Sequence, residues 1–352
     1  MIKYYTRACN FYYGSISKEK IKKKLSLPLN GSSFISFDNI EIITRKYKRK
    51  IHIKEIKNQS NKIKKKIKKD IKLITQKKKF NRLNFLNFPI LMGIINLTPD
   101  SFSDGGKYNK KNSGFNYAKN LIKKGCQILD LGGESTRPGA KDINPKIEWR
   151  RIDKTLNKIK KLDKFISLDT RKSWIMENGI KNKVNLINDV SGFEYDANTI
   201  NILKKSKIPF VIHHMQGTPK NMQKNPKYKN VLLDIYDFFE SKIKEIRNKG
   251  IMHNNIILDP GIGFGKNLKH NITLIRNISI FHSLGFPIML GISRKRFIKD
   301  LSGKNDSKDR IGGTISSSLF SMMQGVQILR VHDVNEVNQS IKIFKSLNFY
   351  NG

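Results

Sequence analysis

The sequence predicts an α/β fold, a (β/α)8 barrel preceded by a basic N-terminal extension. Three observations carry that prediction. Short apolar runs recur after Phe88, at Ile90–Ile95, Gln127–Leu131, Phe165–Leu168, Val184–Ile187, Phe210–Ile212, Ile256–Leu258, Ile288–Leu290 and Gln327–Val331. Helix-length amphipathic stretches separate most of them, which is the rhythm of parallel strands joined by crossover helices. Every run ends in polar residues, as the C-terminal face of a barrel demands when it carries a site. A doubly wound open sheet is the alternative architecture.

Each element has its own signals. The first run stops at Asn96 and enters a polar loop, Leu97 to Gly106, rich in Asp, Ser and Gly. A rigid strand aiming such a loop is a usual way to build a ligand site, and Thr98 to Gly106 is expected to act as a lid. The stretch Asn112 to Lys124 reads as a helix stopped by Gly125, and Val231 to Lys249 as one stopped by Gly250. The second run closes with Asp130 before Gly132-Gly-Glu-Ser-Thr-Arg-Pro138. Asp169 follows the third run and Asn188-Asp189 the fourth. His213-His214-Met215 follow the fifth, Asp259 the sixth, Ser293-Arg294-Lys295 the seventh, and Arg330 to Asp333 close the eighth.

Residues 1–88 form the extension and residues 89–352 the barrel domain. The extension is expected to be partly structured or a linker. It contains one long basic run, Lys57 to Lys79, in which Ile63, Ile67 and Ile71 recur at helical spacing. Near Pro28 a turn-rich stretch precedes a β-type run, Ile40 to Thr44. A chain of 352 residues with 38% hydrophobic content has ample material for one large domain and an appendage.

Composition narrows the function classes. Two cysteines, Cys9 and Cys126, cannot build a disulfide framework and suit a reducing, cytoplasmic setting. No apolar run is long enough to span a membrane, and the N-terminus lacks the apolar core of a secretory signal. A basic organellar transit peptide is the other reading of that terminus. The net charge of +41 raises nucleic-acid binding. Lys, Ile and Asn are enriched along the whole chain, however, as a biased genome composition produces, so no nucleic-acid partner is expected. Such a surface does attract anionic substrates.

In a barrel, Asp169, Asn188 and Asp259 converge on one pocket. Two carboxylates and an amide suit a ligand edge rich in N–H donors, such as an aminopyrimidinone. They could instead bind Mg2+, act as acid and base, or merely cap helices. Arg294, Lys295, Arg330 and His332 supply donors at strands seven and eight, where barrels often hold phosphate. Arg330 and His332 are two apart and share one side of a strand. An anionic group, read as a diphosphate with Mg2+, is expected among Asn96, Arg330 and His332; a solvated basic rim is the competing reading. The segment Gly261-Ile-Gly-Phe-Gly-Lys266 only weakly resembles a phosphate loop, since Asn267 stands where Ser or Thr belongs. It reads as a tight turn after Asp259, with Phe264 placed to stack on a flat ring. His213 and His214 lack a third ligand at zinc spacing.

Together these segments resemble dihydropteroate synthase, a family of folate biosynthesis. The resemblance runs nearly continuously from residue 90 to about 345. It rests on Met92-Gly-Ile-Ile-Asn-Leu-Thr-Pro-Asp-Ser-Phe-Ser-Asp-Gly-Gly106, Asp130-Leu-Gly-Gly-Glu-Ser-Thr-Arg-Pro-Gly139, Ser167-Leu-Asp-Thr170 and Asn188-Asp-Val-Ser-Gly192. It continues through His214-Met-Gln-Gly217, Asp259-Pro-Gly-Ile-Gly-Phe-Gly-Lys266, Gly291-Ile-Ser-Arg-Lys295 and Arg330-Val-His-Asp-Val334. The resemblance implies a transferase that joins a dihydropterin methyl diphosphate to 4-aminobenzoate, giving dihydropteroate and diphosphate. By motif position it implies that Asp169, Asn188, Asp259 and Lys295 bind the pterin, with Met215 and Phe264 lining its pocket. Asn96 would coordinate Mg2+, Arg330 and His332 would hold the diphosphate, and Thr136, Pro138 and Ser293 would border the aminobenzoate. Lys295, Asp169 and Arg330 are the expected catalytic residues. A homodimer is implied as well. The segment Pro28-Leu-Asn-Gly31 is similar to a Pro-Leu-x-Gly element in the extensions of some bacterial members.

Two rivals stand beside this reading. A pterin-binding methyltransferase domain would share the Asp, Asn, Asp set but needs no Mg2+-diphosphate site, which the Asn96 loop and the strand-seven and strand-eight cations argue against. A basic RNA-binding protein with a degenerate barrel would use residues 1–88 as its arm and bind with steep salt dependence.

Overall fold

A computed structural model describes residues 2–80, 83–87, 89–98, 112–135 and 139–349. Eight parallel strands form the barrel: β7 (Ile90–Asn96), β8 (Ile128–Gly132), β9 (Phe165–Asp169), β10 (Leu186–Asp189), β11 (Phe210–His213), β12 (Ile256–Asp259), β13 (Met289–Gly291) and β14 (Ile328–Val331). They run in the order β12-β11-β10-β9-β8-β7-β14-β13. A bridge between Leu258 and Ile288 joins the two ends, so the sheet closes rather than staying open. The helices on the outside are α3 (Ser113–Lys123), α4 (Pro145–Ile159), α5 (Ser173–Lys181), α6 (Thr199–Ser206), α7 (Val231–Asn248), α8 (Leu268–Arg276), α9 (Arg296–Ser302), α10 (Ile311–Met322) and α11 (Val334–Phe349).

The strands begin and end where local chemistry allows. Gly125 and Gly250 sit at φ +97 and +90, the left-handed conformation that stops α3 and α7 where the sequence places the stops. The fourth strand starts at Leu186 and not at Val184, because the Val184 amide turns back to the carbonyl of Gly179 and finishes α5. The second strand likewise begins one residue after Gln127, whose side chain accepts the Leu91 amide.

Register places polar residues in one row. Asn96 pairs with Gly132, Gly132 with Asp169, and Asp169 with Asn188. His213 pairs with Asp259 and Gly291 with Arg330. At the opposite end the interior is apolar. Ile90, Met92, Ile128, Phe165, Leu186, Val211, Ile257, Met289 and Ile328 draw on every strand to form a floor. The two-stranded hairpin of β5 (Lys79–Phe80) and β6 (Leu83–Asn84) closes that floor with Phe80 and Phe85, whose rings lie 5.5 Å apart.

Residues preceding this plug, expected to be partly structured or a linker, form a sheet with helices. Strand β3 (Ser32–Ile43) pairs antiparallel with β1 (Tyr5–Tyr13), β2 (Leu27–Leu29) and β4 (Lys48–His52). Helix α1 (Gly14–Lys22) follows β1, and α2 (Asn61–Thr75) covers the sheet. The central part of the basic run is therefore helical. It buries Ile63, Ile67 and Ile74 against Leu29, Phe37 and Ile40 and leaves Ile71 half-buried. Each buried Ile stabilises by about 1.5–3 kcal/mol, which outweighs helix repulsion among exposed lysines.

This unit docks on the barrel through specific bonds. Asn30 donates to the carbonyl of Gly325 at 3.3 Å, Tyr13 to that of Met323 at 2.8 Å, and Ser279 to that of Ala8 at 2.9 Å. Tyr5 and Arg45 reach Asp237 on α7. Gly325, at φ +82, lies so close to Leu29 that a side chain there would overlap it.

Candidate active site

The row of polar strand ends becomes a charged cluster inside the barrel mouth. Arg330 Nε donates to Asp130 Oδ2 at 2.6 Å and its Nη2 to Asp169 Oδ2 at 2.7 Å. Asn188 Nδ2 reaches the same Asp130 oxygen at 3.3 Å. One guanidinium thus lies between two buried carboxylates. Burial works against its charge, but Asp130 and Asp169 outweigh burial and hold it protonated. Burial is also the main force on Asp169, pushing it up to about 7 against the pull of Arg330, with Asp130, Glu148 and Asp189 adding to the rise.

The cluster leaves acceptors unused. Asp130 Oδ1, Asp169 Oδ1 and Asn188 Oδ1 are buried without a hydrogen-bond partner. Leaving a buried acceptor unpaired costs about 1–3 kcal/mol. Three of them at adjoining strand ends point to a ligand that brings several N–H donors. Asp130, which the sequence reasoning did not place in the site, belongs to it. Its signal was a carboxylate inside the apolar run Ile128-Leu-Asp-Leu131, fully buried in the fold.

Asp259 closes the next wall. Its Oδ1 accepts the Gly261 amide at 2.8 Å and fixes the turn that follows β12. Burial raises its pKa. Lys295 donates to the carbonyl of Ile262 and sits over the Phe264 ring, 4.2 Å from its centre. Burial brings its amine down to about 7; Asp259 opposes that fall and Arg330 adds to it. Phe264 also meets the His213 ring edge-on at 4.7 Å. Met215 and Phe264 are both half-buried on facing loops.

At strands seven and eight, Ser293 and His332 come together. The Ser293 hydroxyl accepts the His332 amide at 3.2 Å and lies 3.1 Å from its Nδ1. Arg294, at φ +58, forms a largely buried ion pair with Asp333. Asn96 ends β7 half-buried. Expected site residues Thr136 and Pro138 lie outside the described residues, as does most of the lid expected over Thr98 to Gly106. The structure brings together Asp169, Asn188 and Arg330 by direct or shared hydrogen bonds, and Asp259, Phe264 and Lys295 through one glycine turn.

His213 and His214 are core residues. His213 Nδ1 lies 2.9 Å from the Val190 carbonyl, and burial drives both imidazoles well below their usual range. Among the described residues, no group of three His, Cys, Asp or Glu could hold a metal ion.

A second charged network, absent from the sequence expectations, supports the first. Glu134 bonds Arg171 at 2.9 Å, Lys172 at 2.6 Å and the Ile143 amide at 3.1 Å. Lys172 continues to Glu148 at 2.7 Å, and Glu148 accepts from Thr170 at 2.7 Å. All five side chains of this network are buried, and Thr170, Arg171 and Lys172 directly follow Asp169 in the chain.

A sequence profile for the family described as "Pterin binding enzyme" matches residues 92–332. The dihydropteroate synthase of Neisseria meningitidis serogroup B is 40% identical over 267 residues, which cover 74% of this chain and 94% of that protein. The crystal structure of the Yersinia pestis dihydropteroate synthase with a sulfonamide drug complex aligns with a TM-score of 0.72 at 36% identity, covering 75% of this chain and 96% of that one. The Thermus thermophilus enzyme in complex with 4-aminobenzoate aligns with a TM-score of 0.68 at 34% identity, covering 76% and 97%.

Proposed function

The chain belongs to the dihydropteroate synthase family and is a pterin-binding transferase, and on that premise we propose how its residues join a dihydropterin methyl diphosphate to 4-aminobenzoate. The observation that carries the assignment is the set of three unpaired acceptors on Asp130, Asp169 and Asn188. The N–H edge of a pterin pairs with them, and Asp259 and Lys295 complete its recognition. Phe264 and Met215 face the ring, where an aromatic partner adds about 0.5–1.5 kcal/mol beyond area burial.

The chemistry then follows from charge. The pterin methylene loses diphosphate, and positive charge develops on the carbon. The carboxylates of Asp169 and Asp130 stabilise that charge from a site of low dielectric, where such stabilisation is strongest. Arg330 and His332 take the departing oxygens. Arg330 is at first held by Asp130 and Asp169; N–H groups of the pterin that occupy those carboxylates free its donors for the anion. The amine of 4-aminobenzoate is an aniline, neutral near pH 7; it attacks the methylene carbon without a strong base, and the proton it sheds as the C–N bond forms passes to water or to the departing diphosphate. Ser293, with Thr136 and Pro138, borders that second substrate.

Mg2+ is part of the proposal. It keeps several waters and is commonly bound through substrate phosphates with only one or two protein oxygens. A lone amide at a strand end, Asn96, half-buried beside the barrel mouth, fits that role. When bound, the ion neutralises charge on the leaving diphosphate.

A homodimer, a cytoplasmic setting and the absence of a nucleic-acid partner belong to the same reading. Exposed Phe320 on α10 and Ile343 and Leu347 on α11 supply apolar surface for a second copy. No helix among the described residues is long and apolar enough to cross a membrane. The reaction is tested by incubating the full chain with both substrates and Mg2+ and separating the products by chromatography. Dihydropteroate is expected, and Asp169→Ala is expected to abolish pterin binding in calorimetry. Unchanged pterin affinity in that variant would remove Asp169 from the site.

A further inference from the structure

The glycine turn after β12 ends in Lys266, the residue that would reach the anion in a phosphate-binding loop. In this fold it points inward. Lys266 is 3% exposed. Its Nζ lies 2.8 Å from the Phe264 carbonyl oxygen, 3.0 Å from His214 Nδ1 and 3.4 Å from the His214 carbonyl oxygen. The amine donates to the two carbonyl oxygens and shares a hydrogen bond with the imidazole nitrogen, while burial holds its pKa well below the usual lysine range. None of the three is a carboxylate.

The acceptors lie on two different loops. His214 follows β11 and leads directly into Met215, whereas Phe264 belongs to the turn after β12. The loops press together at backbone contact. A side chain at Gly261 would run into the His214 carbonyl, and one at Gly265 would come within 2.7 Å of the Gln216 carbonyl. Tyr228 donates to Gly265 at 2.8 Å and Gln223 to Gly263 at 2.6 Å, bracing the far side of the turn. The turn carries Phe264, which in turn carries Lys295 on its ring.

We propose that Lys266 is a positioning residue for the pterin pocket: it ties the His214–Met215 loop to the Gly261–Phe264 turn, sets the spacing of Met215 and Phe264, and does not bind the diphosphate. The inference rests on the pterin reading above. Its reach is the placement of two ring-lining side chains by one buried amine. Misplacing such groups by an ångström can lower rates a hundredfold.

Lys266→Met keeps the stem and removes the donors, and Lys266→Gln keeps an amide donor. Three quantities separate the roles: affinity for the dihydropterin methyl diphosphate, KM for 4-aminobenzoate, and inhibition by inorganic diphosphate. For Lys266→Met the pterin substrate should bind at least tenfold more weakly, with KM for 4-aminobenzoate and inhibition by inorganic diphosphate within twofold of the native enzyme. Lys266→Gln should fall between, and it serves alone if Lys266→Met does not fold. A lower melting temperature with all three quantities unchanged overturns the proposal. So does weaker inhibition by diphosphate with unchanged pterin affinity, the behaviour of an anion-binding lysine. If the native chain itself binds no pterin, the functional reading falls and this inference falls with it.

Discussion

Asp169 and Lys295 titrate toward each other. Burial brings the carboxyl up to about 7 and the amine down to about 7. Asp169 accepts N–H bonds well only when ionised, and Lys295 is a cation only when protonated. The profile of kcat/KM for the pterin substrate against pH should therefore be a narrow bell centred near neutrality. Asp169→Asn should flatten its acid limb and Lys295→Met its alkaline limb. A flat profile from pH 5.5 to 8.5 would contradict both assignments. Stability carries the same signs. The raised pKa of Asp169 contributes stability that is full below 3.8 and is lost as pH rises through about 7. The depressed pKa of Lys295 contributes stability that is present above 10.5 and is lost as pH falls through about 7. At this scale much of the site was legible, since polar residues at strand ends declare themselves. Asp130 was harder to see, because one carboxylate within an apolar run looks like a strand's last residue until burial and partners are known.

At the level of elements, rigid strand ends hold the site, and loops pinned by buried charge support it. Glu134, Arg171, Lys172 and Glu148 join the segment after β8 to the start of α5 and the first turn of α4. Burying these ions costs free energy, and removing one partner strands the others. Glu134→Ala should lower stability by about 3–5 kcal/mol, measured by urea unfolding. The milder Glu134→Gln should retain part of the network. A loss below about 1 kcal/mol in Glu134→Ala would show that the network carries little. None of this could be read from sequence, because its members are 37 and 38 residues apart and meet only across neighbouring strands. The helices were easier. Gly125 and Gly250 supply a left-handed stop that any chain position advertises, whereas the start of β10 depended on whether the Val184 amide would join a strand or finish a helix.

For the whole molecule, the first residues are integral to the barrel. Phe80 and Phe85 fill its floor, and truncating a buried Phe costs about 3–5 kcal/mol. Two such losses approach the 5–15 kcal/mol net stability of a typical domain. A chain beginning at Pro89 should therefore melt well below the full chain or fail to unfold cooperatively by calorimetry. Equal melting temperatures would show that the floor is dispensable. The barrel itself was legible from its eightfold rhythm, but of the preceding sheet only the β-type run Ile40 to Thr44 was, since β1 and β3 mix apolar and polar residues without a strict alternation and the lysine-rich α2 that covers them mimics a solvated linker.

The docked unit also has a consequence for synthesis. Ala8 meets Ser279 and Tyr13 meets Met323, contacts spanning 271 and 310 positions. The earlier-translated segment must wait for one made 271 to 310 positions later before its seam is covered. Until then Leu29 and its neighbours face solvent or a chaperone, and contacts of such long span form slowly. The growing chain is most exposed to aggregation until the segment from Ser279 to Met323 has left the ribosome.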